Sequence, residues 1–266
     1  MPATEPLPVL RLFGDALGDV LGHLGGLARI AWPYYALAAV CLIGGFALSS
    51  GSTMAELIAS LLGPGTASLV AGLAVLACTV KWQRHALLGE PLRGTAPLNG
   101  RAGRYALWSL VLGLLCAFPA AAAVGLGFST GLIALDLNGA EPFGIGLPGI
   151  ALLVAGAVLS FSLLARLAVF LPGISVDDGR LGLWRAWELT RGQGLRLLAV
   201  LALLALAVGL LGAAGSVLYG LAGAARGGPL VGAAVQMALD LLSGVFGASV
   251  TAGIYRHLVP VSSGST

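Results

Sequence analysis

Polar side chains are sparse in six long stretches of this chain and crowd toward their ends and into the short segments between them. The stretches cover roughly 30–49, 67–87, 105–126, 148–171, 195–222 and 229–258. Each is long and apolar enough to cross a bilayer as a helix, which takes about 20 residues. The predicted fold is therefore all-α: a polytopic membrane bundle of six transmembrane helices, forming one domain over 1–266. Prolines punctuate the pattern. Pro33, Pro148 and Pro229 fall at predicted helix starts, where a missing N–H costs nothing. Pro172 and Pro260 follow predicted ends. Pro119 lies inside the third stretch and predicts a kink.

Ahead of the first span the periodicity changes. Over 9–30, Leu10, Phe13, Leu17, Leu21 and Leu24 form an apolar stripe at helical spacing, and Asp15, Asp19 and His23 form a polar one. The segment is too polar to span and reads as an amphipathic helix lying in the interface. Gly14, Gly18, Gly22 and Gly26 recur at every fourth position. Each costs a helix about 1 kcal/mol relative to alanine. Four in register predict a face that another backbone approaches closely, in the bundle or in a second copy. The competing explanation is abundance, since the chain has 41 glycines. Asp15, Asp19 and His23 share one helical face, but zinc sites want more His or Cys, so a solvated face is expected. A second interfacial helix is predicted over 180–196, "RLGLWRAWELTRGQGLR". There Trp184 and Trp187 suit the headgroup layer, and Arg180, Arg185 and Arg191 suit anionic lipid. Gly192 and Gly194 allow the turn into the fifth span.

Composition agrees with this picture. The chain is 58% hydrophobic and 9% charged, against about 25% charged for a soluble domain. A net charge of +3 is too small to point to nucleic acid. The positions of the charges matter more. Thirteen of the fourteen Lys and Arg fall before span 1, between spans 2 and 3, between spans 4 and 5, or at the end of span 6. Arg226 alone falls on the other side, with Glu56, Asp136 and Glu141. The positive-inside rule then puts both termini in the cytoplasm. No signal peptide is expected, because the first long apolar run begins too far in and is too long. Cys41, Cys78 and Cys116 lie in apolar runs without a C-x-x-C pair, so they read as small buried hydrophobes.

Three stretches resemble one another: "KWQRHALLGEP", "LLARLAVFLP" and "IYRHLVP". Each closes an even-numbered span with an arginine, a short apolar stretch and a proline. The arginines are Arg84, Arg166 and Arg256, and the implied repeat units are 1–91, 92–172 and 173–260. Any hairpin obeying the charge rule would share part of this pattern. Arg166 is expected to snorkel to the headgroups. His85 and His257 each follow a repeat arginine, which explains them without a metal shared with Glu90.

Asp240 is the one carboxylate deep in a span, where it costs about 2.5–3.5 kcal/mol. Gln236, Asp240, Ser243, Gly244, Gly247 and Thr251 share a small polar face that is expected to point into the bundle. Two readings stand: a neutral, hydrogen-bonded aspartic acid, or an ion, proton or substrate site. No phosphate loop or H-E-x-x-H is present. No catalytic residue, metal or cofactor is expected.

The order "FGDALGDVLGHL", "WQRHALLGEP", "ARLAVFLPGISVDDG" and "AWELTRGQGLRLL" resembles uncharacterised six-span inner-membrane proteins of Gram-negative bacteria. These are similar in turn to the membrane domain fused to some glycerophosphodiester phosphodiesterases. The resemblance implies structural, interfacial roles for Arg84, Arg166, Pro172, Trp187, Thr190, Arg191 and Gly192. No phosphodiesterase domain is present, so that activity does not transfer. The expected function is a non-enzymatic inner-membrane protein serving envelope or lipid homeostasis, or assembly of a partner. The alternative is a small-molecule or ion transporter using the polar face around Asp240. Expected partners are the bilayer, anionic lipid headgroups, and a second copy or another membrane protein, with no nucleic acid.

Overall fold

The computed structural model describes residues 8–48, 53–135, 143–179, 181–223 and 228–259. Arg180, Asp136, Glu141, Arg226 and Pro260 lie outside them, as does the side chain of Glu56. Among the described residues the regular secondary structure is helical apart from one small ribbon. The helices are α1 (Val9–Gly22), α2 (Leu24–Leu48), α3 (Thr53–Leu88), α4 (Gly100–Ser129), α5 (Leu147–Leu167), α6 (Phe170–Ser175), α7 (Leu183–Leu189), α8 (Gly194–Gly223) and α9 (Gly228–Leu258). Six segments are long and apolar enough to cross a membrane: Leu24–Gly44, Gly65–Leu88, Gly100–Ser129, Leu147–Ser175, Gly194–Leu218 and Val231–Leu258. This is a multi-pass membrane protein. Each hairpin packs chiefly on itself, α2 on α3, α4 on α5 and α8 on α9, and α9 also packs along α3. Between α4 and α5, β1 (Ile133–Leu135) pairs antiparallel with β2 (Phe143–Ile145), Ile133 opposite Ile145.

Several boundaries differ from the sequence pattern for identifiable reasons. The amphipathic helix ends at His23, whose φ of −117° leaves the helical region, so 9–30 is two helices. Pro33 lies inside α2 and does not start it. Buried Leu27, Ile30 and Ala31 hold the preceding turns in place by packing. Pro172 is a buried part of α6, which carries the fourth span onward. Helix α4 runs through Pro119, and the N–H of Ala120 turns to Ser160 Oγ on α5 at 3.1 Å. The second interfacial segment is helical for only seven residues, α7.

Helix α1 lies on α9. Phe13 meets Phe246 edge-on at 4.9 Å, and Ala16 and Val20 are buried. The leucines of the predicted stripe point the other way: Leu10, Leu17, Leu21 and Leu24 are exposed. Helix α1 thus has two apolar lines, a small-residue line on the bundle and a leucine line facing outward. The glycine line is not a close contact within the chain. A Cβ at Gly14, Gly18 or Gly22 would meet nothing within 4 Å, and only Gly26, in α2, faces a neighbour, Leu92. Close approach occurs elsewhere. A Cβ at Gly156 would stand 2.6 Å from Ala123 Cβ and 2.9 Å from Pro119 O, where α5 crosses α4. One at Gly244 would stand 2.5 Å from Val75, where α9 crosses α3. These are the small-residue contacts that apolar surroundings favour.

Two apolar clusters result. The larger joins α1, α2, α3, α8 and α9 around Trp82, Leu27, Ile30, Leu197 and Val245. The smaller joins α4, α5, α6 and α7 around Leu112, Leu167 and Phe170.

Candidate functional site

The end of the bundle where α3, α5 and α9 finish and α4 and α8 begin carries an ionic network. Arg84, on the last turns of α3, binds Glu90 with both Nε and Nη2, donates to Ser175 O at 3.1 Å, and lies 3.8 Å from Asp177. Asp177 also receives Arg101 Nε and Arg104 Nη2, both at 2.7 Å, from the first turns of α4. It holds a left-handed φ of 57°, which Asp tolerates better than most residues. Arg84 holds the Glu90 carboxyl below its ordinary value through hydrogen bonding and charge. Arg101, helped by Arg104, does the same for Asp177. Tyr255 OH donates to Asp178 at 2.7 Å, tying α9 to the same turn.

The segment 89–99 is strapped across this end. Lys81 Nζ donates to the carbonyls of Arg93, Gly94 and Thr95. Tyr34 OH donates to Ala96 O, and His85 Nδ1 lies 2.6 Å from Glu90 O. His85 packs against His23 and Trp82, with ring centroids at 5.0 and 5.7 Å. His23 Nδ1 is 2.9 Å from Asp19 O. His257 lines a groove of about 400 Å³ between α1 and α9, together with Arg11, Asp15, Asp19 and Arg256. Among the described residues no three His, Cys, Asp or Glu side chains gather as metal ligands do. Cys41, Cys78 and Cys116 are free thiols, two of them buried.

The repeat arginines have three different surroundings. Arg84 is in the ionic network and Arg256 is exposed. The half-buried Arg166 guanidinium lies 4.3 Å over the Trp187 ring, beside Gly194, and its buried Nε has no partner among the described residues. The turn from α7 into α8 follows from its residues. Thr190 Oγ1 donates to Ala186 and Trp187 carbonyls, Arg191 is exposed, and Gly192 takes φ 89°.

The polar face of α9 divides. Asp240 is exposed and accepts from Gln236 Nε2 at 2.9 Å, so it does not point into the bundle as expected. Gln236 is held beside Gly215 of α8, which fixes the pair on the open side of that contact. Ser243 is half-buried. Thr251, about 16 Å along the helix from Asp240, is turned inward. It donates to Gly247 O at 2.9 Å and lies 3.4 Å from Gln83 Nε2.

Two further cavities complete the site. A crevice of about 600 Å³ between α2 and α9 runs from Leu24 to Ile43 and is lined by apolar residues, with Trp32 at its mouth. Tyr35 crosses it, donating to Met237 O at 2.9 Å. A second cavity, of about 370 Å³, sits where α3, α4, α5, α6, α8 and α9 meet, between the two apolar clusters. Thr79, Tyr105, Ser109 and Thr251 line it. Gln83 is fully buried beside it, with Nε2 3.4 Å from Tyr105 OH. The sequence pattern did not single out Gln83, Tyr105, Ser109 or Asp177. A lone amide inside an apolar span was the available signal for Gln83, and the "VDDG" turn for Asp177. Against family models, curated proteins and solved structures alike, this chain finds no match.

Proposed function

We propose that this protein is a non-enzymatic component of the bacterial inner membrane that serves lipid homeostasis in the envelope by holding an anionic phospholipid. The observation that carries this reading is the crevice between α2 and α9. Its walls are apolar along the length of α2 from Leu24 to Ile43, about 28 Å of helix rise, close to the hydrocarbon thickness. Near its Leu24 end, Arg29 is exposed beside the lining residue Ala28, placed to meet a phosphate. The basic end supplies further cations that attract anionic lipid. The outward leucines of α1 fit a helix seated in the same headgroup layer. The resemblance to six-span inner-membrane proteins supports the location, and the charge distribution supports cytoplasmic termini.

The test is native mass spectrometry after gentle extraction. One anionic phospholipid retained at fixed stoichiometry, and lost when Ala28 and Ala238 are both changed to Trp to fill the crevice, is the expected result. Release of lipid-free protein, or of a protein partner alone, would replace this reading with an assembly scaffold. A second reading, a transporter, is favoured by the exposed Gln236–Asp240 pair at hydrocarbon depth, because such groups mark pathways. Reconstituted uptake that falls in Asp240→Asn would support it.

A further inference from the structure

The cavity between the two apolar clusters is polar at one end only. Thr79, Tyr105 and Thr251 lie toward the ionic network, five residues or fewer from Arg84, from Arg101 and Arg104, and from Arg256. Val75, Leu112, Leu204 and Gly244 line the end toward the bilayer centre. Among the described residues no charged side chain lines it. Its volume, about 370 Å³, is within the roughly 300–1,000 Å³ range of small-molecule sites.

Two buried polar atoms at this place lack a partner among the described residues: Gln83 Oε1 and Ser109 Oγ. Ser109 lies one turn beyond Tyr105 on α4, so both side chains reach the same cavity. Gln83 has its nitrogen shared between Tyr105 OH and Thr251 Oγ1, both at 3.4 Å. Turning the amide over does not cure the deficit, because the nitrogen then becomes the unpartnered end. Leaving such a group unsatisfied in a low-dielectric interior is costly. A bound molecule whose hydroxyl reaches either atom removes the cost there, since a hydroxyl donates once and accepts twice.

We propose that this cavity binds one uncharged, single-headed amphiphile of the long-chain alcohol class. Its hydroxyl sits at the Gln83–Ser109 end and its chain runs toward Leu112, Leu204 and Gly244. This orientation, head toward the headgroup layer and tail toward the midplane, is the one the molecule already has in the bilayer. The absence of a lining charge selects against fatty acids and phospholipids. The site is separate from the α2–α9 crevice, and neither proposal depends on the other.

The experiment is photolabelling of the whole protein in detergent with a twelve-carbon alcohol carrying a mid-chain diazirine, mapped by peptide mass spectrometry. Saturable labelling of the α4 and α9 segments around Leu112 and Gly244 is expected. 1-Decanol should compete about tenfold better than decane or decanoic acid. Gln83→Met should lower labelling about tenfold, and Ser109→Ala several-fold. Gly113→Phe, which fills open space on the lining, should abolish it with the melting temperature retained. Equal competition by decane would overturn the proposal, as would unsaturable labelling, which would mean that water fills the polar end. If Gln83→Met fails to fold, unchanged labelling in both Ser109→Ala and Gly113→Phe is sufficient to overturn it.

Discussion

Glycines 18 and 192 illustrate how one residue type answers to two environments. Gly18 is mid-helix with open space around it, so it contributes only its conformational cost. Gly18→Ala, alone or with Gly14→Ala, should stabilise the fold by about 1 kcal/mol per site, read as a raised melting temperature in detergent. A fall, with loss of self-association, would mean that a second copy's backbone sits on this face. Gly192 holds φ 89° in the turn into α8. Gly192→Ala should destabilise by roughly 1–2 kcal/mol, although it too has open space. Asp177 and Glu90 make a pH prediction. Both carboxyls are held below their ordinary values of 3.8 and 4.5. Their stabilising contribution is therefore complete above about pH 4.5 and is lost as pH falls through the lower folded values. Both side chains are more than a third exposed, so solvent keeps the effect modest. Melting curves between about pH 6 and pH 3 should show a smaller acid loss in Asp177→Asn than in the parent. Asn also tolerates the left-handed φ, so backbone strain does not confound the comparison.

At the scale of the element, the spans were legible because length and hydropathy alone decide them. The orientation of each face was less so. The leucine stripe marked α1 as an interfacial helix without saying which line meets the bundle; in lipid both leucine and alanine lines are favourable surfaces, and packing selects the smaller side chains. The same reasoning locates the close crossing at Gly156, which no periodicity distinguished among many glycines, and the one at Gly244, which lay on the small face of α9 expected to point inward. Gly156→Leu should therefore separate α4 from α5 and lower the melting temperature sharply. On α9, Gly253 faces Leu12, with a Cβ placed there only 2.9 Å away. Gly253→Leu should lift α1 from the bundle while leaving the six spans intact, seen as faster backbone hydrogen exchange over 9–22 alone. Loss of protection throughout the chain would show that α1 is needed for the whole fold.

For the whole molecule, the charge asymmetry predicts that cysteines introduced at Arg101 and Arg191 are labelled only from the cytoplasm in intact cells, and one at Gly131 only from outside. The candidate sites were legible in part. Asp240 announced itself as an isolated carboxylate, but its exposure depends on how α8 and α9 meet, which no local pattern encodes. The cavity beside Gln83 and Ser109 is assembled from six helices, and each contributes side chains that look ordinary in their own stretch. One detail of the basic end has a practical consequence. Lys81 is the sequence's only lysine, and its ammonium is caged by three carbonyls of the 89–99 strap. An amine-reactive dye therefore has a single side-chain target, which reacts more slowly while the strap holds its three N–H groups. Its labelling rate works as a built-in stopwatch for opening at this end of the bundle, and lipid or ligand that tightens the strap would slow it.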